Sequence, residues 1–239
     1  MASPAYEQIL MVQSLDLNLR QLRHRHQHHP VRAEITAVEA DIAQVEEQLA
    51  EVESRHHDIE RQRKRLEDEA ALMQAKRKDI DNKLYGGHVT ASKELLALQD
   101  EAAMLLGKQT ELEDQELELM ETLESVGSER DTTTGKHDEL TGRRTELEGS
   151  LAAALAEIDA EMAATESQRT DAVASADGTL LASYEALKDQ FDGVAVARLV
   201  NGACDGCHIH LSAVAVDQMG KMADDAVVNC EECGRLLVR

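Results

Sequence analysis

Tryptophan is absent from this chain of 239 residues, phenylalanine occurs once, tyrosine three times and proline twice, at Pro4 and Pro30. So little bulky apolar material excludes the broad core of a large globular enzyme, and so little proline leaves helices free to run long. Positive charge is also scarce: 25 Lys and Arg stand against 47 Asp and Glu, a formal net charge of −22. Such a field repels phosphate backbones and anionic lipid unless a local basic patch overrides it. No run approaches the roughly 18 apolar residues of a membrane span, and Met1-Ala2-Ser3-Pro4 begins no secretory signal, so a cytoplasmic protein without membrane partners is expected. No phosphate loop, nucleophile elbow or His-Glu-x-x-His pattern occurs, and the expectation is a protein that is not an enzyme.

What is present is helix-forming residues in heptads. From Val31 the apolar positions fall at Ile35, Val38, Ile42, Val45, Leu49, Val52, Ile59, Leu66, Met73, Ile80 and Leu84, with His56, Arg63, Ala70 and Arg77 filling the remaining steps. Alternating spacings of three and four are the 3.5-residue period of a left-handed coiled coil. The pattern resumes at Leu95, Leu98, Ala102, Leu105, Leu112, Leu119, Leu123, Val126, Thr133, Leu140, Leu147, Leu151, Ala154 and Ile158, with polar Gln109, Glu116, Arg130 and His137 in the seam. Between the runs, Tyr85-Gly86-Gly87-His88 supplies the backbone freedom a helix needs to stop.

Charge separates a hairpin from a parallel dimer. Folded at Gly86-Gly87, residues whose numbers sum to about 176 face one another. Arg61 to Arg65 then lie opposite Glu111, Glu113, Asp114 and Glu116, and Arg143 and Arg144 opposite Glu34. A parallel homodimer would set Arg63 on Arg63. A monomeric hairpin is therefore favoured, with a dimer left open. Pro30 breaks the first arm, and residues 4 to 29 are expected to pack beside the end of the second. The cluster His24, His26, His28 and His29 reads as a solvated stretch facing Glu146 and Glu148, with an adventitious metal site as the less favoured alternative.

The heptads fade at Ser175-Ala176-Asp177-Gly178. Thr179 to Gln190 then reads as a short helix closed by Gly193, and Val194 to Val200 as a strand. Short strands are expected at His208 to Leu211, Val227-Val228 and Leu236 to Val238. Between them, Ser212 is placed to cap a helix bearing Val216, Met219 and Met222, ended by Asp224-Asp225.

All four cysteines lie in this last segment, as Cys204-Asp205-Gly206-Cys207 and Cys230-Glu231-Glu232-Cys233. Two Cys-x-x-Cys loops, each aiming two sulfurs at one point, fit a closed tetrahedral zinc site, with Gly206 and Gly234 letting the backbone bend toward the sulfurs. The 22 residues between the pairs leave room for the inserted helix. Paired disulfides are disfavoured in a reducing compartment, and a redox pair would want a βαβ setting. An iron–sulfur cluster takes the same four thiolates. One structural zinc ion on Cys204, Cys207, Cys230 and Cys233 is the preferred reading, with His208 and His210 as less favoured competitors. For nucleic acid, the segment offers Arg198, Lys221, Arg235 and Arg239 against more numerous acids, with Tyr184 and Phe191 as its aromatics, so neither a basic stripe nor a stacking platform is visible.

The tip Leu84-Tyr85-Gly86-Gly87 … Val89-Thr90-Ala91-Ser92-Lys93-Glu94-Leu95, then Asn201-Gly202-Ala203-Cys204-Asp205-Gly206-Cys207, then Cys230-Glu231-Glu232-Cys233-Gly234-Arg235-Leu236-Leu237, resembles the bacterial family of coiled-coil proteins with a C-terminal C4-type zinc ribbon. The resemblance covers essentially the whole chain and implies an antiparallel hairpin, no enzymatic activity and an adaptor role. A flagellar-regulatory member is associated with a sigma factor and messenger RNA. Zinc ligation carries over onto Cys204, Cys207, Cys230 and Cys233. Relatives carry Asn-Pro where this chain has Ala91-Ser92, so its helix cap is expected from Thr90 or Ser92.

The fold class expected is thus mainly α: a long antiparallel coiled-coil hairpin over residues 1–176, with its tip near 85–92, and a zinc ribbon over 177–239. The function expected is a non-enzymatic, zinc-binding adaptor for a protein partner, in transcription or RNA metabolism; a nucleic-acid-binding zinc ribbon is the alternative. The partner, the pathway and the role of the tip are not written in the sequence.

Overall fold

A computed structural model describes residues 4–87, 89–223 and 226–238. His88, Asp224-Asp225, Arg239 and Met1 to Ser3, which figure in the sequence reading, lie outside them. Helix α1 (Pro4–Gln27), α2 (Val31–Tyr85) and α3 (Ser92–Ser175) are followed by α4 (Gly178–Leu187), β1 (Val196–Val200), β2 (Ala203–Cys204), α5 (Ala213–Gly220) and β3 (Leu236–Val238). Pro30 stands in the expected break, between the end of α1 and the start of α2. The chain forms two compact units, one of residues 34–147 and one of residues 1–33 with 148–239.

In the unit of residues 34–147, α2 and α3 form the hairpin. Every seam position named from the heptads is buried or half-buried, and Val38, Ile42, Val52, Ala70, Ile80, Leu105, Leu112, Val126 and Thr133 are the most enclosed. The polar seam positions are accommodated across the seam: Arg63 Nη1 donates to Glu116 Oε1 at 3.0 Å, and His137 Nε2 stands 3.6 Å from Glu46. The register departs from the expected sum of 176. Arg63 and Glu116 sum to 179, Glu46 and His137 to 183, and Arg55 and Glu129, 2.7 Å apart, to 184. The turn itself lies where expected, with α2 ending at Tyr85 and α3 beginning at Ser92. The first amide bonds of α3 end on the carbonyl of Ala91, from Glu94 at 3.0 Å and Leu95 at 3.1 Å. Ala91 therefore sits at the N-cap, where Thr90 or Ser92 was expected.

The other unit is built on the period-two alternation of a small sheet ordered β2-β1-β3, with β1 antiparallel to β2 and parallel to β3. Val196, Leu236 and Val238 point to one face, where they meet Tyr6, Ile9 and Val12 of α1 and Leu180 and Tyr184 of α4. Ala197 and Leu237 point to the other, with Cys204, Cys230, Leu211, Ala215, Met219 and Val228. His208 to Leu211 and Val227-Val228 are not strands: only single bridges form there, Ala203 with His210 and Asn229 with Leu236. Ser212 does cap α5, accepting from the Ala215 amide at 3.1 Å. The helix stops at Gly220, leaving Met222 beyond it.

Helix α1 does more than lie beside α3. Gln13 uses its side-chain amide as one residue of an extra strand, donating to the Val196 carbonyl at 2.9 Å and accepting from the Val196 amide at 2.7 Å. Asp16 accepts from Arg169 of α3 at 2.5 and 3.2 Å and from the Tyr184 hydroxyl at 2.8 Å. Burial alone would raise the Asp16 carboxyl, but these bonds and the Arg169 charge hold it below the usual carboxylate range. Burial, together with the Asp16 carboxylate, pushes the Tyr184 phenol upward. Of the histidine cluster, His26 stands 3.5 Å from Asp159, and His24 and His28 stack on each other at 4.4 Å.

Replacing Gln13 by Leu keeps the volume but leaves the buried backbone amide and carbonyl of Val196 without their partner. Urea unfolding is expected to show a loss of about 2–3 kcal/mol; a change below about 0.5 kcal/mol would contradict this role.

Candidate metal centre

The metal centre grows from two backbone loops of one design. In the first, the His208 amide bonds back to the Cys204 carbonyl at 2.7 Å; in the second, the Gly234 amide bonds to the Cys230 carbonyl at 2.8 Å. Each loop is closed again one step outward, by Cys204 N–H to Ile209 at 3.1 Å and Cys230 N–H to Arg235 at 2.8 Å. The residue after the second cysteine must turn left-handed in both loops. Gly234 does so at φ 79°, and His208 takes the equivalent place at φ 62°. Histidine tolerates this region better than branched residues do.

Gly206, expected to supply backbone bending, has another role, since it is not among the residues at positive φ. A Cβ there would lie 2.7 Å from Arg235 Cδ and 3.0 Å from Ala197 Cβ. Glycine is needed at 206 to let Arg235 pass. Arg235 in turn donates to the Val194 carbonyl at 2.7 Å and stacks over Phe191 at 4.5 Å.

These loops bring the sulfurs of Cys204, Cys207, Cys230 and Cys233 within 4.8 Å of one another, Cys207 and Cys230 being 3.9 Å apart. A tetrahedron with bonds of about 2.3 Å has edges of about 3.8 Å, so the donor set fits a zinc ion. Among the described residues this is the one such group of three or more potential ligands, and neither His208, His210 nor the His24–His29 cluster joins it. All four cysteines are free of disulfides. Cys204 and Cys230 are buried, and burial raises both thiols, Cys204 to about 12. At Cys233 burial is outweighed by hydrogen bonds from the Arg235 backbone and side chain and from the neighbouring thiols, which bring it down to about 7. A dication held by Cys204, Cys207, Cys230 and Cys233 would supply the charge that favours all four as thiolates.

Among the described residues, the cations weighed for nucleic acid are engaged elsewhere. Arg198 grips Glu7 of α1 in a bidentate pair at 2.8 and 2.9 Å, Arg235 is held as described, and Lys221 pairs with Asp217. The sequence reading missed Glu7, Gln13 and Asp16, whose partners lie more than 150 residues away, and Arg169, which meets Asp16 across 153 residues and Glu185 across 16. The left-handed His208 was detectable, because Cys-Asp-Gly-Cys-His aligns with Cys-Glu-Glu-Cys-Gly.

Changing Gly206 to Ala should cost about 1–3 kcal/mol in urea unfolding, since the new methyl displaces Arg235. Adding Arg235→Ala to that variant should recover part of the loss. Additive losses would show that the crowding lies elsewhere.

Comparison with known proteins agrees with this architecture. The family model of the CT398-like coiled coil hairpin domain matches residues 12–192, and that of the C4-type zinc ribbon domain matches residues 203–237. The uncharacterized protein Rv2229c of Mycobacterium tuberculosis is 31% identical over 97% of this chain and 94% of its own length. A protein of Mycobacterium smegmatis with a solved structure superposes with a TM-score of 0.84 at 26% identity, covering 100% of this chain and 99% of the other. CT398 from Chlamydia trachomatis superposes with a TM-score of 0.65 at 23% identity, covering 98% and 96%, a likeness of fold.

Proposed function

We propose that this chain, which belongs to the family of CT398-like coiled-coil hairpin proteins and ends in a C4-type zinc ribbon, is a non-enzymatic adaptor. It holds one structural zinc ion on Cys204, Cys207, Cys230 and Cys233 and binds a protein partner through its coiled coil and ribbon. The observation that carries this reading is the closed donor set: four sulfurs within 4.8 Å of one another. Four thiolates complete a tetrahedral shell and leave no position for substrate or water. The metal then acts on folding, by tying two loops that the small sheet alone holds weakly.

The ribbon's cations support protein recognition over nucleic acid. Arg198 and Arg235 serve the fold, and the formal charge of −22 opposes phosphate. A nucleic-acid-binding ribbon remains the second reading, and a place in transcription or RNA metabolism rests on the family resemblance alone. A reducing, cytoplasmic setting belongs to the same proposal, because thiols arranged as metal ligands must stay reduced. No helix among the described residues is long and apolar enough to cross a membrane.

Purified protein should contain one zinc per chain. Cys204→Ser should release it and unfold the ribbon while the helical circular dichroism of the hairpin persists. Sub-stoichiometric metal, or a ribbon that stays folded without it, would defeat the metal reading. RNA or DNA should give no mobility shift at low salt; a shift that weakens steeply with added salt would favour the nucleic-acid reading. Capture from native lysate with and without Cys204→Ser tests whether a protein depends on the ribbon.

A further inference from the structure

We propose that the outer face of α3 between Leu96 and Met120 docks a cationic amphipathic helix of a partner protein, laid along the hairpin as a third strand. The inference rests on the adaptor reading and adds to it the surface and the chemistry of the partner.

The seam of α3 uses two positions of each heptad, Leu95, Ala102, Gln109 and Glu116 at the first and Leu98, Leu105, Leu112 and Leu119 at the fourth. A second apolar series follows one residue behind. Leu96, Ala103 and Leu117 occupy the second heptad position, and Leu106 and Met120 the fifth. All five are exposed, Leu96 at 61%, Leu106 at 47%, Leu117 at 58% and Met120 at 49%. Scattered exposed leucines are ordinary on any surface. These recur with the 3.5-residue period of a coiled-coil seam. They form an interrupted stripe of about 36 Å at 1.5 Å per residue, the length of a helix of roughly 25 residues. Gln99, Thr110 and Glu113 complete the row.

On the α3 side of the stripe the charge has one sign. Between Lys93 and Glu124, α3 carries ten carboxylates and two lysines. Asp100, Asp114 and Glu121 run along its outer border, and Glu113 lies within it. From Leu96 to Met120 the sole cation is Lys108, which sits across the seam and pairs with Glu111 at 2.9 Å. The border on α2 is formed by the fifth heptad position of that arm, Glu60, Glu67, Gln74 and Asp81. Its carboxylates are partly met by their own helix: Glu60 lies 3.7 Å from His56, Glu67 3.7 Å from Arg63 and 3.3 Å from Lys64, and Asp81 3.9 Å from Arg77. On the α3 side of the stripe, the acids of the outer border have no such cationic row beside them.

An apolar centre edged by carboxylates calls for a helix with an apolar face flanked by Lys or Arg. A second copy of this chain is the wrong occupant, since it would set the same acidic borders against each other. The hairpin thus presents one seam that it closes itself and one that it leaves to a partner.

The test uses the full chain and three labelled 28-residue peptides: a helical peptide with Leu at heptad positions one and four and Lys beside them, a scrambled peptide of the same composition, and the same helix with Glu in place of Lys. Fluorescence anisotropy should show the Leu/Lys helix binding at least about tenfold tighter than its scramble, and the Glu version not binding. The triple variant Leu106→Ser, Leu117→Ser, Met120→Ser should lose that preference with unchanged circular dichroism, because the seam is untouched. Equal binding of the scramble would reduce the effect to bulk charge, and equal binding by the triple variant would place it elsewhere; either overturns the proposal. Sedimentation showing a dimer that the triple variant abolishes would assign the stripe to a second copy, and also overturns it. Lysate capture that is lost with Cys204→Ser but unchanged in the triple variant would end the stripe inference while the adaptor reading stood. Absence of any protein capture would end the adaptor reading, and the peptide titration would still read the stripe.

Discussion

The two ends of the chain share one core, and this constraint governs the rest of the molecule. Tyr6, Ile9 and Val12 near the start are buried against Val196, Leu236 and Val238 near the finish. The sheet has too few residues to bury its own face, so α1 and α4 must supply the missing apolar surface. Because α1 is consumed at the ribbon, the chain that follows it must leave and come back before α4 can dock. A helical hairpin satisfies that with a single turn, and its own seam supplies the apolar burial it needs. Polar fixings then set the fit: Gln13 on the Val196 backbone, Asp16 between Arg169 and Tyr184, and Glu7 on Arg198.

The metal has the corresponding role on the opposite face. Of the eight buried residues in that cluster, two are the candidate ligands Cys204 and Cys230, and the remaining six are Ala197, Leu211, Ala215, Met219, Val228 and Leu237. The thiols are therefore part of the core as well as the coordination shell. Without a cation, burial holds Cys204 protonated while Cys233 is drawn toward its thiolate by Arg235. Such an uneven set of thiols is a poor cross-link. A metal that takes all four as thiolates joins loops whose hydrogen bonds are otherwise local, so coordination and burial reinforce each other.

Local periodicity explains why the hairpin was legible in the sequence. A helix arm exposes every position that does not face its partner, so a 3.5-residue repeat names the seam even where Arg63, Glu116 or His137 occupies it. Register was less legible, because it depends on where α3 begins, and Ala91 carries no side chain that announces an N-cap. The cysteine pairs were legible because ligand spacing is a short-range property. Gly206 was misread for the opposite reason: its smallness answers to Arg235, 29 residues later in the chain, and not to its own torsion angles. Gln13 gave no signal, since a glutamine in a helix is unremarkable until the strand it completes is in place.

A polar seam also bears on what the hairpin is suited to do. Arg63 bonded to Glu116 and His137 beside Glu46 fix partner and register at the expense of apolar burial. A fully apolar seam of this length would be indifferent to orientation and would pair with other chains as readily as with itself. The arms have instead placed some of their large apolar side chains, Leu106, Leu117 and Met120 among them, outside the seam. Those side chains keep about half of their surface in solvent once the hairpin is folded, 47% at Leu106, 58% at Leu117 and 49% at Met120. Their period matches a helix, and their acidic surroundings discourage self-association. On the reading proposed above, the same charge that opposes phosphate would become selective when paired with an apolar stripe, favouring a helix of opposite charge over a copy of this chain.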